Sequence, residues 1–399
     1  MKNLIIELHT LMPYAINAAN AGQFGEIKNV NIGGVSRVVM SSQSLKYAIR
    51  QAIAKNNLRT NYYLGEIAEK CFEIDPTLRT DEFAEYIMES CDVKMKADKK
   101  KKGDPDALAQ NALAQIATKS STTEVTSYAE ISDIAQTLVD AWHNKLPKDK
   151  TKEKLQSMER MVDLWTAAFG RMSTNALFSK IESAVATSMS YSVDENRHQS
   201  DYFSVVESLK MKYEPTNDGA ANLQDTSISA NLMYRYMNLS VETLARNYKL
   251  FDRMETSDVM TDPIAVEFAN FIAELMVHFC YTHPVAKQHS MASMPTPAMV
   301  AVFTGKNIFP CTMDNAFNKV VQANYDKSVA EKAVDRVIQW ANDDMLADQY
   351  DTAVIWTNHA VCITDSMDVR PSVNKARVYI KNDIVAQVLA YLAEWKATL

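Results

Sequence analysis

Apolar residues crowd positions 4–12 (LIIELHTLM), and this run predicts a strand. SRVVM (36–40) predicts a second strand, entered through Gly33-Gly34. Only nine glycines occur in the chain, so a glycine pair implies a positive φ or a close backbone approach. After Met40 the period lengthens. Leu45, Ala48, Ile49, Ala52 and Ile53 form one helical face, with Gln43, Lys46 and Arg50 to the other side and Ser41 or Ser42 placed to cap the start. From 58 to 168 the pattern is helical and strand-poor, as in YLGEIAEKCFEI and ISDIAQTLVDAWHNKL. Residues 190–228 are polar and broken by Pro215 and Gly219, which predicts a projecting loop or hairpin with Tyr202 and Phe203 at its middle. NLMYRYMNLS (231–240) alternates like a strand, a helix follows over 263–279, and 284–303 reads as a loop carrying Lys287 and Gln288 into a buried strand. Two late helices end the chain. Strands from both ends around a helical middle predict an α+β core with insertions.

Composition narrows the class. The chain has 399 residues, 47% hydrophobic and 23% charged, as expected of a globular protein. Five scattered cysteines, without metal spacing, read as reduced thiols of a cytoplasmic protein. Glu7 interrupts the N-terminus too early for a signal-peptide core, and no apolar run suggests a membrane span. The net charge of −7 argues against nucleic acid, but the distribution changes that picture. Residues 1–50 hold Lys2, Lys28, Arg37, Lys46 and Arg50 against Glu7 and Glu26, a net +3. A helix start leaves N–H groups without partners and so favours anions; Gln43, Lys46 and Arg50 after two serines fit a phosphate site there, and fit equally a capped amphipathic helix whose cations are simply solvated. Two lysine runs, 94–106 and 145–154, add cationic surface; the second carries Lys145, Lys148, Lys150, Lys152 and Lys154.

Catalytic signatures are missing. The sequence has no P-loop, no G-x-G-x-x-G after a strand and no G-x-S-x-G. His278, Cys280, His283 and His289 are the best metal candidates, but a two-residue spacing sends helical side chains to different sides. They read instead as a helix end and loop.

Taken in order, Gly33-Gly34, Arg37, Ser41-Ser42-Gln43-Ser44-Leu45-Lys46 and Arg50 resemble the signature of the CasC family, which forms the backbone of the type I-E CRISPR Cascade complex. Phe169-Gly170-Arg171-Met172, Tyr234-Arg235-Tyr236 with Asn238, Ala286-Lys287-Gln288 and Asn315-Ala316-Phe317 are similar to its later motifs. The resemblance implies an RRM-like, ferredoxin-like palm (1–57, 169–185 and 230–399), a helical fingers insertion (58–168) and a thumb (186–229). It implies a non-catalytic subunit that stacks head-to-tail with other copies of itself along crRNA. Target DNA and other Cascade subunits would be its further partners, with no cofactor and no membrane. Guide RNA would meet Lys28, Arg37, Ser42, Gln43, Lys46, Arg50, Arg171, Met172, Tyr202, Phe203, Lys287 and Gln288; target DNA would meet the lysines at 145–154. The alternative is a palm-loop RNA endonuclease of a related CRISPR effector, although residues 17–25 contain no acid. A scaffold without nucleic acid is the third reading.

Overall fold

The computed structural model describes residues 2–399 except 55, 94–111, 174, 198, 206–208, 210–211, 213–221, 307, 343–348 and 360–367. The first lysine run and Cys362 therefore lie outside the described residues. The strands are β1 (Leu4–Pro13), β2 (Asn29–Ile32), β3 (Val35–Met40), β4 (Asn57–Thr60), β5 (Glu124–Ser127), β6 (Val185–Thr187), β7 (Ser190–Ser192), β8 (Gln199–Val205), β9 (Asn222–Ile228), β10 (Leu232–Ser240), β11 (Met299–Lys306), β12 (Thr352–Thr357) and β13 (Asp368–Pro371). The main sheet runs β13-β12-β11-β1-β10-β7-β3-β2, with β6 also on β10. Its pairings are antiparallel except β12 with β13.

Within this sheet lies the α+β order expected from the sequence. β1, the helix Ser42–Ile53, β6 and β7, β10, the helix Pro263–Tyr281 and β11 follow one another along the chain. The spatial order β11-β1-β10-β7 makes this the split βαββαβ arrangement of a ferredoxin-like sheet. Alternation along the strands assigns the faces. Ile6, Leu8, Met237, Leu239, Val300 and Val302 meet Leu45 and Ile49 of the first helix and Phe268, Ile272 and Met276 of the second. Leu11, Tyr234, Tyr236, Ala301 and Phe303 turn to the opposite face, covered by Val334, Val337 and Ile338 of the helix Val329–Ala341. The sheet is thus buried on both sides.

The helix Pro263–Tyr281 corrects one expectation: its 19 residues are long and apolar enough to cross a membrane. Ten of them are buried in the palm core. At roughly 1.5–3 kcal/mol for each large apolar side chain, that burial holds the helix on the sheet.

The helical insertion has its own core. Tyr63, Leu64, Ile67, Phe83, Ile87, Ile134 and Leu138 pack together, joined by Leu177 and Phe178 from the segment the sequence assigned to the palm. It also contains a small ladder, β4 with β5, in a stretch that reads as helical and strand-poor. A second antiparallel ladder, β8 with β9, forms the hairpin expected from the polar segment. The hairpin begins at Gln199, later than expected, because β7 belongs to the main sheet.

Candidate nucleic-acid interface

Near the β3 edge a small apolar cluster joins segments far apart in sequence. Tyr14, Ala19 and Ile27 from the loop after β1 pack with Met12, Val38, Met40, Met233 and Ala286. The next residues along the chain are Lys28 after Ile27, Ser41 after Met40 and Lys287 after Ala286. One apolar seat thereby fixes three segments that carry predicted phosphate ligands. Lys28 is exposed, and its carbonyl accepts from Val39 N.

Ser41 caps the helix Ser42–Ile53: its Oγ accepts from Ser44 N at 3.3 Å and lies 3.3 Å from Asn20 Oδ1. No acidic residue sits in the first turn, so nothing offsets the anion preference of its N–H groups. Gln43 is exposed and Ser42 half-buried. Lys46 Nζ stands 5.2 Å from the centre of the Phe169 ring, and burial pushes its ammonium below the usual lysine range. Phe169 lies three residues before Met172, which is 96% accessible. Arg50 is half-buried and donates from Nη2 to Asn57 O at 2.8 Å, while Nε is buried and unpartnered; burial lowers its pKa too. One arm of Arg50 is therefore committed to the palm–insertion junction.

Two arginines of the predicted site are not at the surface. Arg37 is wholly buried, and its Nη1 donates to Ser192 O (2.9 Å) and Val193 O (3.0 Å). Its Nη2 donates to Phe317 O (3.1 Å) and Asn318 O (3.4 Å). Arg171 is buried in a two-pronged ion pair with Glu130, at 2.8 and 2.9 Å, that joins the palm to the insertion. Neither guanidinium is accessible to a phosphate. Sequence spacing gives a cation's position but not its inward direction, and Glu130 itself carries no signal in the sequence.

The hairpin does bring two predicted ligands together. Lys287 Nζ donates to Thr226 Oγ1 at 2.6 Å and lies 5.4 Å from the Phe203 ring centre. Phe203 is thus partly covered, whereas Tyr202 remains 66% exposed. The hairpin base is tied to the palm loop by Asn17, whose backbone exchanges hydrogen bonds with Ser229 at 2.9 Å each way. Lys287 has a positive φ of 49°, uncommon for a non-glycine residue, and Gln288 opens a single-turn helix with Nε2 buried and unpartnered. Phe24 is a surface feature missed from the sequence: it stands 89% exposed in the palm loop.

In the insertion the cations divide. Lys148 pairs with Glu89 and Lys152 with Asp92, each at 2.9 Å. Helical spacing puts both lysines on the side facing the helix Asp81–Cys91. Lys145, Lys150 and Lys154 are exposed and form no ion pair among the described residues. Of the metal candidates, Cys280 is buried in the palm core, and His278 Nδ1 lies 2.9 Å from Thr282 Oγ1.

Residues 6–386 match the family model described as CT1975-like protein. The chain belongs to that family. All the motifs read from the sequence, residues 33–317, fall inside the match. A comparison with the curated proteins gives no sequence match for this CT1975-like chain. Among solved structures its fold is similar to a chain of a "CRISPR RNA-guided surveillance complex, pre-nicking", at TM-score 0.68 and 19% identity over 96% of this chain and 99% of that one. A chain of a "CRISPR RNA-guided surveillance complex" gives 0.59 and 18% with the same coverage. The central sheet, the helical insertion and the hairpin therefore all lie within a fold that those complexes contain.

Proposed function

We propose that this CT1975-like chain is a non-catalytic crRNA-binding backbone subunit of a type I-E-like Cascade complex. Copies stack head-to-tail along the guide and present it for pairing with target DNA in antiviral defence. The observation that carries this reading is a continuous set of contacts. It runs from Phe203 and Thr226 on the hairpin through Lys287 and the apolar seat to the Ser41-capped helix, and on through Lys46 to Phe169, three residues before exposed Met172. Its ligands are hydroxyl, amide, ammonium and thioether groups, suited to phosphate and sugar and to the faces of unstacked bases. Such contacts position a backbone and carry no sequence information. That suits a subunit serving any guide, since base pairing does the reading. A head-to-tail interface is heterologous, and where its rotation does not close a ring it extends as a helical filament.

The fold match over nearly the whole chain supports the assembly role. The guide path would use Lys28, Ser42, Gln43, Lys46, Met172, Tyr202, Phe203, Lys287 and Gln288, with the free edge of Arg50. Lys145, Lys150 and Lys154 would face target DNA.

Purified protein is tested for bound RNA by its 260/280 nm absorbance ratio and by sequencing what co-purifies. Labelled RNA is then titrated with wild type and Lys46→Glu across a salt series. The expected result is RNA with repeat-derived ends, no cleavage of guide or target, and a salt slope reduced by about 0.7 for the lost phosphate. RNA-free protein together with an unchanged slope overturns the reading.

A further inference from the structure

Resting on that reading, we propose that Arg37 is a positioning residue for the RNA interface: it seats the β2–β3 hairpin so that the helix start at Ser41 is held in place. β3 is weakly attached to the main sheet. Among the described residues only Val39 and Met40 pair with β7, opposite Tyr191 and Ser190, and Val38 N donates to Ser192 Oγ at 3.0 Å. The guanidinium of Arg37 adds to this by linking β3 to the backbone of 192–193 and to carbonyls 317–318, beside the bond that Asn196 N donates to Ser36 O at 2.8 Å. Ser41 follows four residues later on the same strand exit.

The segment 311–318 that receives Arg37 is itself pinned across the sheet. Cys311 N donates to Glu7 Oε1 (2.8 Å) and Met313 N to Tyr234 Oη (2.9 Å), while Tyr191 Oη donates to Asp314 Oδ1 (2.8 Å). Each anchor comes from a different strand. Glu7 accepts also from Tyr236 and from Tyr350. The hairpin turn presses on the same segment: Gly33 has φ +60°, and a Cβ there would come 1.9 Å from Asn318 O. Only glycine permits that approach. Gly33, Arg37 and 311–318 thus form one clamp, in which the hairpin turn and the guanidinium meet the same carbonyl, Asn318 O. This accounts for sequence features that phosphate binding does not use, namely Gly33, Arg37, the two motif tyrosines and the 315–317 motif.

A guanidinium reaches four carbonyls through two nitrogens held in a plane, which a lysine ammonium cannot reproduce. The test uses Arg37→Lys, which keeps the charge, and Gly33→Ala, which removes none. Full-length variants are titrated with labelled single-stranded RNA of mixed sequence, and hydrogen exchange is followed in the free proteins. Both variants are expected to weaken RNA binding about tenfold, the ~1.4 kcal/mol of one misaligned charge-assisted contact, with faster exchange concentrated in residues 28–46. Leu138→Ala, in the insertion core, controls for stability: it should lower the melting temperature without changing affinity per folded molecule. Arg37→Lys that binds like wild type while Arg37→Met does not makes Arg37 a charge ligand and overturns the proposal. Wild-type affinity in both folded variants overturns it as well. If neither variant folds, the clamp is a folding determinant and the positioning role is wrong. Lys46→Glu separates the two readings: if it too leaves binding unchanged, the RNA interface itself is misassigned.

Discussion

Replacing Glu130 with glutamine should damage this protein more than any surface charge reversal. Arg171 and Glu130 have side-chain exposures of 1% and 0%. Every N–H of Arg171 is used: Nε donates to Ser179 O (2.9 Å), Nη1 to Val125 O (2.9 Å) and Glu130 Oε2 (2.8 Å), and Nη2 to Glu130 Oε1 (2.9 Å) and Ser179 Oγ (3.1 Å). Thr126 Oγ1 donates to Glu130 as well. Glutamine keeps the shape but leaves a buried guanidinium facing a neutral amide that offers one acceptor in place of two. Breaking such a pair from one side costs about 3–5 kcal/mol, whereas replacing both partners with apolar residues costs far less. Arg171→Met with Glu130→Leu should therefore be more stable than Glu130→Gln alone. With separate palm and insertion cores, a single global transition is not assured, so the local reading matters. Urea unfolding gives the overall loss, and hydrogen exchange in the helix Tyr128–His143 gives the local one. A loss under about 1 kcal/mol for Glu130→Gln, the range of solvent-screened pairs, would refute the reasoning.

The remaining predictions concern the surfaces and pH. Neutralising Lys145, Lys150 and Lys154 together should weaken target-DNA capture by the assembled complex while sparing assembly on RNA, and more so than neutralising the paired Lys148 and Lys152; gel-shift titration checks this, and lost RNA assembly would reassign them. Tyr202→Ala should cost ~1–3 kcal/mol per stacked base and blur the spacing of accessible guide nucleotides in chemical footprinting without lowering the melting temperature. Phe203→Ala should also disturb the Lys287 contact, so equal melting losses from both substitutions would overturn the stacking role. His9, buried beside Tyr234, has its pKa pushed down from 6.5 to about 3 by burial. The neutral ring is favoured in the fold, so its contribution is full above pH 6.5 and declines as pH falls toward 3, by at most about 1.4 kcal/mol per pH unit. Glu7 on the same face is shifted upward by burial and acts in the opposite sense. The reading is therefore the difference between wild type and His9→Gln in urea midpoints from pH 7 to pH 5. Parallel curves would remove His9 from the acid response.

Periodicity made most of the fold legible. β1, β3, the helix after Met40, β10 and the helix at 263 follow from their apolar residues: the helix after Met40 buries one face, and β1, buried on both faces, reads as a near-continuous apolar run. The small β4–β5 ladder was not legible: its strands are four residues each and lie 64 positions apart in a helical stretch, so no local period marks them. The hairpin was placed but not bounded, because β7 is only three residues long and carries serine at both ends. In the candidate site the lysines and neutral polar residues were easier to read than the arginines. Lysine is strongly hydrated and is rarely buried without a partner, so a lysine in a motif is a fair marker of surface. Arginine offers five donors in a plane and serves equally as a buried bracket between strands, and no one-dimensional pattern separates the two uses.

That division also bears on how an acidic chain would present the proposed surface for a polyanion. Of the five cations in residues 1–50, Arg37 is internal and Arg50 is partly committed to Asn57 O. Of the two acids in that stretch, Glu7 is wholly buried and accepts three hydrogen bonds, while Glu26 uses Oε2 to accept from Phe24 N within its own loop. Glu7 is buried and the helix start has no acid in its first turn, so near Ser41 the exposed Glu26 stands against Lys28, Lys46 and the first N–H groups of the helix. Lys46 supplies it from beside an aromatic ring at reduced hydration, where a phosphate meets a stronger partner than a fully solvated ammonium. Net charge describes the whole protein at long range. At the few ångströms where a phosphate binds, the relevant quantity is which charges the fold has turned inward, and here it has turned in the acid at position 7 and left the lysines out.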